Sequence, residues 1–478
     1  MSFISKKSLN TSFSFREFWS DLRESIGGTE KDFTKIPLRK AIILLSIPMV
    51  LEMVMESVFA LVDIFFVSRL GSQEVAVVGI TESLMSIVYA IGVGLSVGTT
   101  ALVSRRIGEK NPEKASRAAV QAIFAAVFAS LFFAALGIFY AKDLLRLMGA
   151  SQETIEMGFR YPMIMLGGNV VIMLLFVINA VFRSSGDAAI SMRIMWMANI
   201  LNIILDPLLI FGIGPFPELG VEGAAIATNI GRGVAVVYQI YLLLKGNHRI
   251  KVRLQDIHFR MNTILKVIRL SLGAIGQNLI GTSSWVFLVW VVTSLGEDAV
   301  AGYTIAIRLI IFFILPAWGL ANAAATLVGQ NLGAKEIARA ERSAWIVGGV
   351  NMLLMGLGSI VFILFPQVFI SFFIDRAEAP VVWESGVECL RIISFGFIFY
   401  ALGMVMIQSI NGAGDTATPV WLNIIAFWII EIPLAFLLTH SLDMGVTGVG
   451  LAIIIAESTL TVMAVLIFRR GKWKLTKV

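Results

Sequence analysis

The sequence predicts an all-α membrane protein: twelve transmembrane helices in two six-helix bundles related by a pseudo-two-fold axis along the membrane normal. Three observations predict it. The composition is strongly apolar, apolar runs of bilayer-spanning length recur along the chain, and the first half repeats in the second.

Of the 478 residues 57% are hydrophobic and 15% charged, a balance far from that of a water-soluble globular domain. A hydrocarbon core of about 30 Å takes roughly 20 apolar residues per helical crossing. Twelve such runs are read, at 41–67, 75–104, 119–141, 159–182, 191–212, 221–244, 263–293, 299–328, 344–366, 385–410, 419–439 and 445–468. Lipid offers no partner to backbone N–H and C=O groups, so continuous runs of this kind must be helices. The chain divides accordingly into an N-terminal tail (1–40), an N-lobe (41–244), an inter-lobe linker (245–262), a C-lobe (263–468) and a basic tail (469–478). In the first tail Phe15, Phe18, Trp19, Leu22 and Ile26 fall at helical spacing, the pattern of an amphipathic helix on the membrane surface.

With an even number of crossings both termini share one side. If that side is the cytoplasm, 28 Lys and Arg residues lie in the inner segments against four in the outer ones: Arg69, Lys142, Arg146 and Arg376. The bias predicts a cell inner membrane protein with both termini cytoplasmic. It also accounts for the net charge of +6, since basic loops face anionic headgroups, and removes the reason to invoke nucleic acid. The lipid bilayer and small molecules are the expected partners, and a monomer is expected.

Shifting the chain by 225 residues aligns 46–115 with 271–340. Leu70-Gly71 then meets Leu295-Gly296, and Leu102-Val103 with Gly108 meets Leu327-Val328 with Gly333. Later, Gly186-Asp187 corresponds to Gly414-Asp415, and Gly220-Val221-x-Gly223 to Gly445-Val446-x-Gly448. A repeat of six helices keeps the same topology in both halves and leaves a cleft between two lobes that can rock about a shared interface.

Ionisable groups at bilayer depth cost about 2.5–3.5 kcal/mol each on insertion scales, so each one needs a reason. In crossing 1, Glu52, Glu56 and Asp63 fall within roughly 40° of one another around the helix. Their repeat mates are Gln277, Gly281 and Leu288, and the mate of Glu82 in crossing 2 is Ile307, so this acidity belongs to the N-lobe alone. In crossing 5, Asn199, Asn202 and Asp206 share a face ahead of Pro207, which frees a backbone carbonyl. Carboxylate, amide and carbonyl oxygens suit Na⁺, and a desolvated carboxylate suits H⁺; the residues do not choose between them. Na⁺ is a candidate at Asp63, Asn202 and Asp206. Thr228 on crossing 6 is a further oxygen donor, while Glu52, Glu56, Glu82, Asn179 and Asn199 are candidates for proton or substrate binding. The competing reading makes Glu52 and Glu56 structural, satisfied by neighbours or by Arg232. Arg232, Arg308, Glu431 and Glu457 are the remaining deep charges, candidates for structural pairs or substrate contacts.

A single cysteine, Cys389, excludes a disulfide framework, and no HExxH, GxSxG or Walker A sequence is present. The chain is therefore read as a transporter without enzymatic apparatus or cofactor, with Na⁺ or H⁺ as its coupling ion. A lipid-linked amphiphile flippase is the alternative, and a receptor or scaffold without turnover a third reading.

Several separated motifs carry a family resemblance over 41 to about 470. They are Val62-Asp63 before Leu70-Gly71, Phe182-Arg183-x-x-Gly186-Asp187, Asn202-x-x-x-Asp206-Pro207, Gly220-Val221-x-Gly223-Ala224-Ala225-x-Ala227-Thr228 and Gly412-x-Gly414-Asp415-x-x-x-Pro419. On these the chain resembles the multidrug and toxic compound extrusion (MATE) family. The resemblance implies two V-shaped lobes exporting organic cations in exchange for Na⁺ or H⁺, with Asp63, Asn202, Asp206 and Thr228 as the N-lobe cation site. The NorM-like branch would also place acids in crossings 7 and 10, where this chain has Gly281-Thr282 and, from Arg391 to Ile410, none. The resemblance thus leans to a DinF-like arrangement; it assigns no role to Glu52 or Glu56.

Overall fold

The computed structural model describes residues 15–28, 31–67, 69–245 and 249–478; residues 1–14, 29 and 30 of the expected N-terminal tail and 246–248 of the linker lie outside them. Six spans run from residue 38 to 245 and six from 261 to 470. Eleven described helices are long and apolar enough to cross a membrane, and a bent pair makes the twelfth. The first half comprises α1 (Phe15–Gly27), α2 (Leu38–Val67), α3 (Ser72–Gly108), α4 (Pro112–Leu147), the broken span α5 (Gln152–Gly158), α6 (Arg160–Gly167) and α7 (Asn169–Ser185), then α8 (Ala188–Ile210) and α9 (Val221–Lys245). The second half comprises α10 (Met261–Thr293), α11 (Glu297–Gly333), α12 (Ile337–Leu364), α13 (Pro366–Ile370), α14 (Pro380–Ser394), α15 (Phe397–Gly412), α16 (Ala417–Asn423), α17 (Ile432–Phe436) and α18 (Gly445–Arg470). Among the described residues the fold is helical throughout. The helix α1 packs on α2, where Lys40 bonds Asp21 at 2.8 Å and Glu24 at 2.7 Å.

Four spans depart from straight helices. The third kinks at Tyr140, with φ −126° and ψ 18°. The fourth breaks at Gly168, where a Cβ would stand 2.1 Å from the Asn229 side chain of α9. The tenth bends by 55° between α14 and α15, and the Ser394 carbonyl accepts from the Ser359 hydroxyl of α12 at 2.7 Å. The eleventh stays continuous but widens into π-helix over Ile424–Glu431 and Leu437–Ser441, on either side of α17. Helices α3 and α11 run four and five residues further than the apolar runs, to Gly108 and Gly333, because their last turns pack on each other instead of entering loops.

That packing displays the pseudo-two-fold axis. A Cβ on Gly108 would stand 2.0 Å from the Gln330 carbonyl oxygen, and one on Gly333 would stand 2.2 Å from that of Arg105. Residues 105 and 330, like 108 and 333, differ by 225, so each contact is the image of the other. Only glycine permits so close a crossing. The next residues but one, Lys110 and Lys335, repeat the correspondence with φ of 58° and 64°.

The two lobes are joined at the end that carries the termini. There Gln330 Nε2 donates to the Ser184 carbonyl at 2.8 Å and Arg339 Nη2 to the Phe33 carbonyl at 2.8 Å, while next to Phe33 Asp32 pairs with Lys110 of the first half and so fixes the segment that Arg339 grips. At the opposite end they part. Exposed positions recur along α3 up to Ile87 and along α11 up to Phe312, and none follows on either helix before its last glycine. The cleft between the lobes therefore opens away from the termini.

Candidate functional site

Within the N-lobe the deep acids separate into two groups. Glu52, wholly buried on α2, accepts from Arg183 Nη1 of α7 at 2.7 Å, and Arg183 Nη2 reaches the Ser96 hydroxyl at 3.2 Å. One turn on, Glu56 takes the Asn199 amide at 3.1 Å and lies 3.4 Å from Arg232 Nη2. The Arg232 guanidinium in turn lies 5.4 Å from the Phe59 ring centre and 5.9 Å from that of Tyr89. Both glutamates thus have cationic partners, which meets the demand that burial places on a charge.

The C-lobe carries a junction at the matching place. The repeat mates of Glu52 and Arg183 are Gln277 (52 + 225) and Asn411 (183 + 228), and these exchange two amide hydrogen bonds of 3.1 and 3.0 Å. One lobe fastens its first and fourth spans by charge, the other by neutral amides at the same place.

Asp63 and Asp206 form the second group. Asp206 is fully buried on α8, one turn past Asn202. With its amide nitrogen toward the acid, Asn202 donates to Asp206 Oδ2 at 2.9 Å, and its oxygen accepts from the backbone N–H and hydroxyl of Thr228 at 3.0 and 3.1 Å. Asn202, Asp206 and Thr228 are thereby brought together, with α8 and α9 in direct apposition. Asp63, half-buried further along α2, makes no hydrogen bond or ion pair among the described residues, yet its charge acts on Asp206. Among the described residues no arginine or lysine bonds either carboxylate.

The other candidates lie apart from this cluster. Asn179 accepts from Gln239 at 2.6 Å, joining α7 to α9, and Asn199 serves Glu56. Glu82 and Arg308 are exposed on the parted halves of α3 and α11 and interact across the cleft through charge alone. Glu431 accepts from Ser284 at 2.5 Å, and Glu457 makes no hydrogen bond or ion pair among the described residues. The sequence reading assigned no role to Arg183 beyond its loop motif and its count among inner-loop charges. It also passed over Tyr161, buried at the start of α6 within electrostatic reach of Asp63 and Asp206. The mate of Arg183 was a usable signal, because Asn411 faces the mate of Glu52.

One family model, MatE, matches residues 48–208 and 274–437; it takes in Asp63, Asn202 and Asp206 and both halves of the repeat, with α9 and its Thr228 lying between the two matched stretches. The chain belongs to the MatE family. Members of this family are transporters, not enzymes, and this one is accordingly a multi-pass membrane transporter. It is 26% identical over 441 residues to the probable multidrug resistance protein NorM of Thermotoga maritima, covering 91% of this chain and 93% of that one. It is 27% identical to the FAD transporter of Shewanella oneidensis (87% and 91% covered) and 24% to the multidrug export protein MepA of Staphylococcus aureus (91% and 94%). Among solved structures, the outward-facing conformation of a multidrug resistance MATE family transporter superposes with a TM-score of 0.87 at 26% identity, covering 93% of this chain and 98% of that chain.

Proposed function

We propose that this MatE-family chain is a secondary antiporter that exports organic cations or drug-like amphiphiles by alternating access, in exchange for Na⁺ or H⁺ bound at the N-lobe cluster. The observation that carries this reading is the buried Asp206 carboxylate, held by Asn202, which Thr228 in turn anchors, within electrostatic reach of Asp63, while Arg183 and Arg232 are already bonded to Glu52 and Glu56. Two carboxylates at bilayer depth with no bonded arginine or lysine favour uptake of a small cation, and a cation there changes which packing of the lobes is preferred. Each monovalent charge carried inward through 100 mV supplies about 2.3 kcal/mol to that cycle.

Orientation follows from the basic loops, with the termini cytoplasmic in the cell inner membrane and the cleft open outward. Coupling in the N-lobe is DinF-like, in keeping with Gly281-Thr282 and the acid-free stretch from Arg391 to Ile410. The names borne by relatives such as NorM and MepA agree with a drug-like cargo. A flippase for pyrophosphate-linked lipid has no observation in its favour, since Arg232, one of the two deep arginines such a cleft would need, is bonded to Glu56. The test is ethidium efflux from cells producing the chain. Asp63→Asn should abolish gradient-dependent efflux, and undiminished efflux would discard the N-lobe site.

A further inference from the structure

A cavity of about 260 Å³ lies in the C-lobe, with Val97 of α3 at its edge and none of the N-lobe acids in its lining. Trp285, Trp318, Tyr400 and Phe427 supply aromatic faces, Glu431 and Glu457 supply charge, and no lysine or arginine lines it. Glu431 is 2% exposed; its Oε2 takes the Ser284 hydroxyl, and its Oε1 has no donor among the described residues. Glu457 makes no hydrogen bond or ion pair among them and lies within electrostatic reach of Glu431 and Tyr400. Asn423 adds an amide oxygen that is buried without a hydrogen bond, at the start of the same helical stretch. Two carboxylates in apolar surroundings are costly unless they hold protons or a cation joins them.

Local backbone structure points the same way. Glu431 closes the π-helical stretch Ile424–Glu431, and such stretches are uncommon and concentrate at functional sites. Its position is 225 residues after Asp206, so each lobe buries one acid at the matching place on its fifth span. The surroundings differ. Asp206 sits among amide and hydroxyl groups, whereas Glu431 and Glu457 sit among rings whose faces attract cations. A bare metal ion would leave most of the cavity empty, and among the described residues nowhere do three His, Cys, Asp or Glu groups meet to hold one. The volume lies near the lower end of small-molecule sites, about 300–1,000 Å³.

We propose that this C-lobe cavity binds an organic cation, an aromatic or alkyl ammonium, with Glu431 and Glu457 as its counter-charges and the indole and phenol rings as its walls. The proposal rests on the exporter reading only for the nature of the cargo, and equilibrium binding tests it without any ion gradient. Ethidium is titrated into the full-length protein in detergent micelles and followed by fluorescence anisotropy. Glu431→Gln/Glu457→Gln should weaken binding at least about tenfold, and Asp206→Asn should leave it within about twofold. A second variant keeps both acids. Gly281 lines the cavity and a Cβ there meets nothing within 4 Å, so the side chain of Gly281→Leu starts in open space, takes up ligand volume and should weaken binding as strongly. Unchanged affinity in either the double-glutamine or the Gly281→Leu protein overturns the proposal, as does loss of binding in Asp206→Asn, which would put the cargo in the N-lobe. If Asp206→Asn instead binds ethidium normally and still transports it under a gradient, the coupling assignment fails while the cavity stands.

Discussion

Placing a methyl group on Gly108 or Gly333 should loosen the joint that holds the lobes together. The added Cβ of Gly108→Ala would stand 2.0 Å from the Gln330 carbonyl oxygen and 2.9 Å from Gly333 Cα. Relaxed non-bonded contacts lie near 3.5 Å, so α3 and α11 must part by about 1.5 Å at their last turns. Overpacking of this kind costs about 1–3 kcal/mol. Because the strain exists only while the lobes meet at this end, it shifts their equilibrium by about 5- to 150-fold toward the state in which they part there. Spin labels at the exposed Glu109 and Glu336 report the separation through their dipolar coupling. The unmodified glycines should give a short distance, and Gly108→Ala or Gly333→Ala a new longer component. Gly79→Ala, where a Cβ meets nothing within 4 Å, is the control and should change nothing. An unaltered distance distribution in both joint variants would refute the claim that this crossing holds the closed end shut.

Removing one member of the buried Glu52–Arg183 pair leaves the other charge stranded, so Glu52→Gln should destabilise the protein by about 3–5 kcal/mol, read from thermal unfolding in detergent. Glu52→Gln/Arg183→Asn reproduces the C-lobe pair Gln277–Asn411 and should recover most of that loss. The Asp32–Lys110 contact predicts insensitivity to pH. Burial raises the Asp32 carboxyl, but the hydrogen bonds from Lys110 and Thr34 outweigh it and hold the pKa down at about 2. With the folded pKa below the ordinary 3.8, the stabilisation is present above that value and is lost only as pH falls through about 2, so the Glu109–Glu336 distance should be constant from pH 8 to pH 4.5.

The architecture was legible because hydrophobic length and loop charge are properties of the chain itself. All twelve crossings carry helix where apolar runs predicted it, and the correspondence of Gly108 with Gly333 was visible before their contact was. The reading of the site was less complete. Helical spacing put Glu52, Glu56 and Asp63 on one stripe, but a stripe does not say what faces it: α7 brings an arginine to Glu52, α9 brings one to Glu56, and neither bonds Asp63. Arg183 escaped notice because it lies one turn from a loop, where basic residues are usually solvated. The π-helical register around Glu431 has no signature in residue type beyond Pro433, which also occurs in kinked α-helices. The cavity beside it depends on the bend between α14 and α15, a tertiary outcome.

Transport by purified protein in liposomes tests the coupling claim most directly. With Na⁺ and proton gradients imposed one at a time, the protein should drive ethidium movement with one of them, and Asp206→Asn should respond to neither while still binding ethidium. Equal gradient-driven transport by the Asp206→Asn protein would contradict the account.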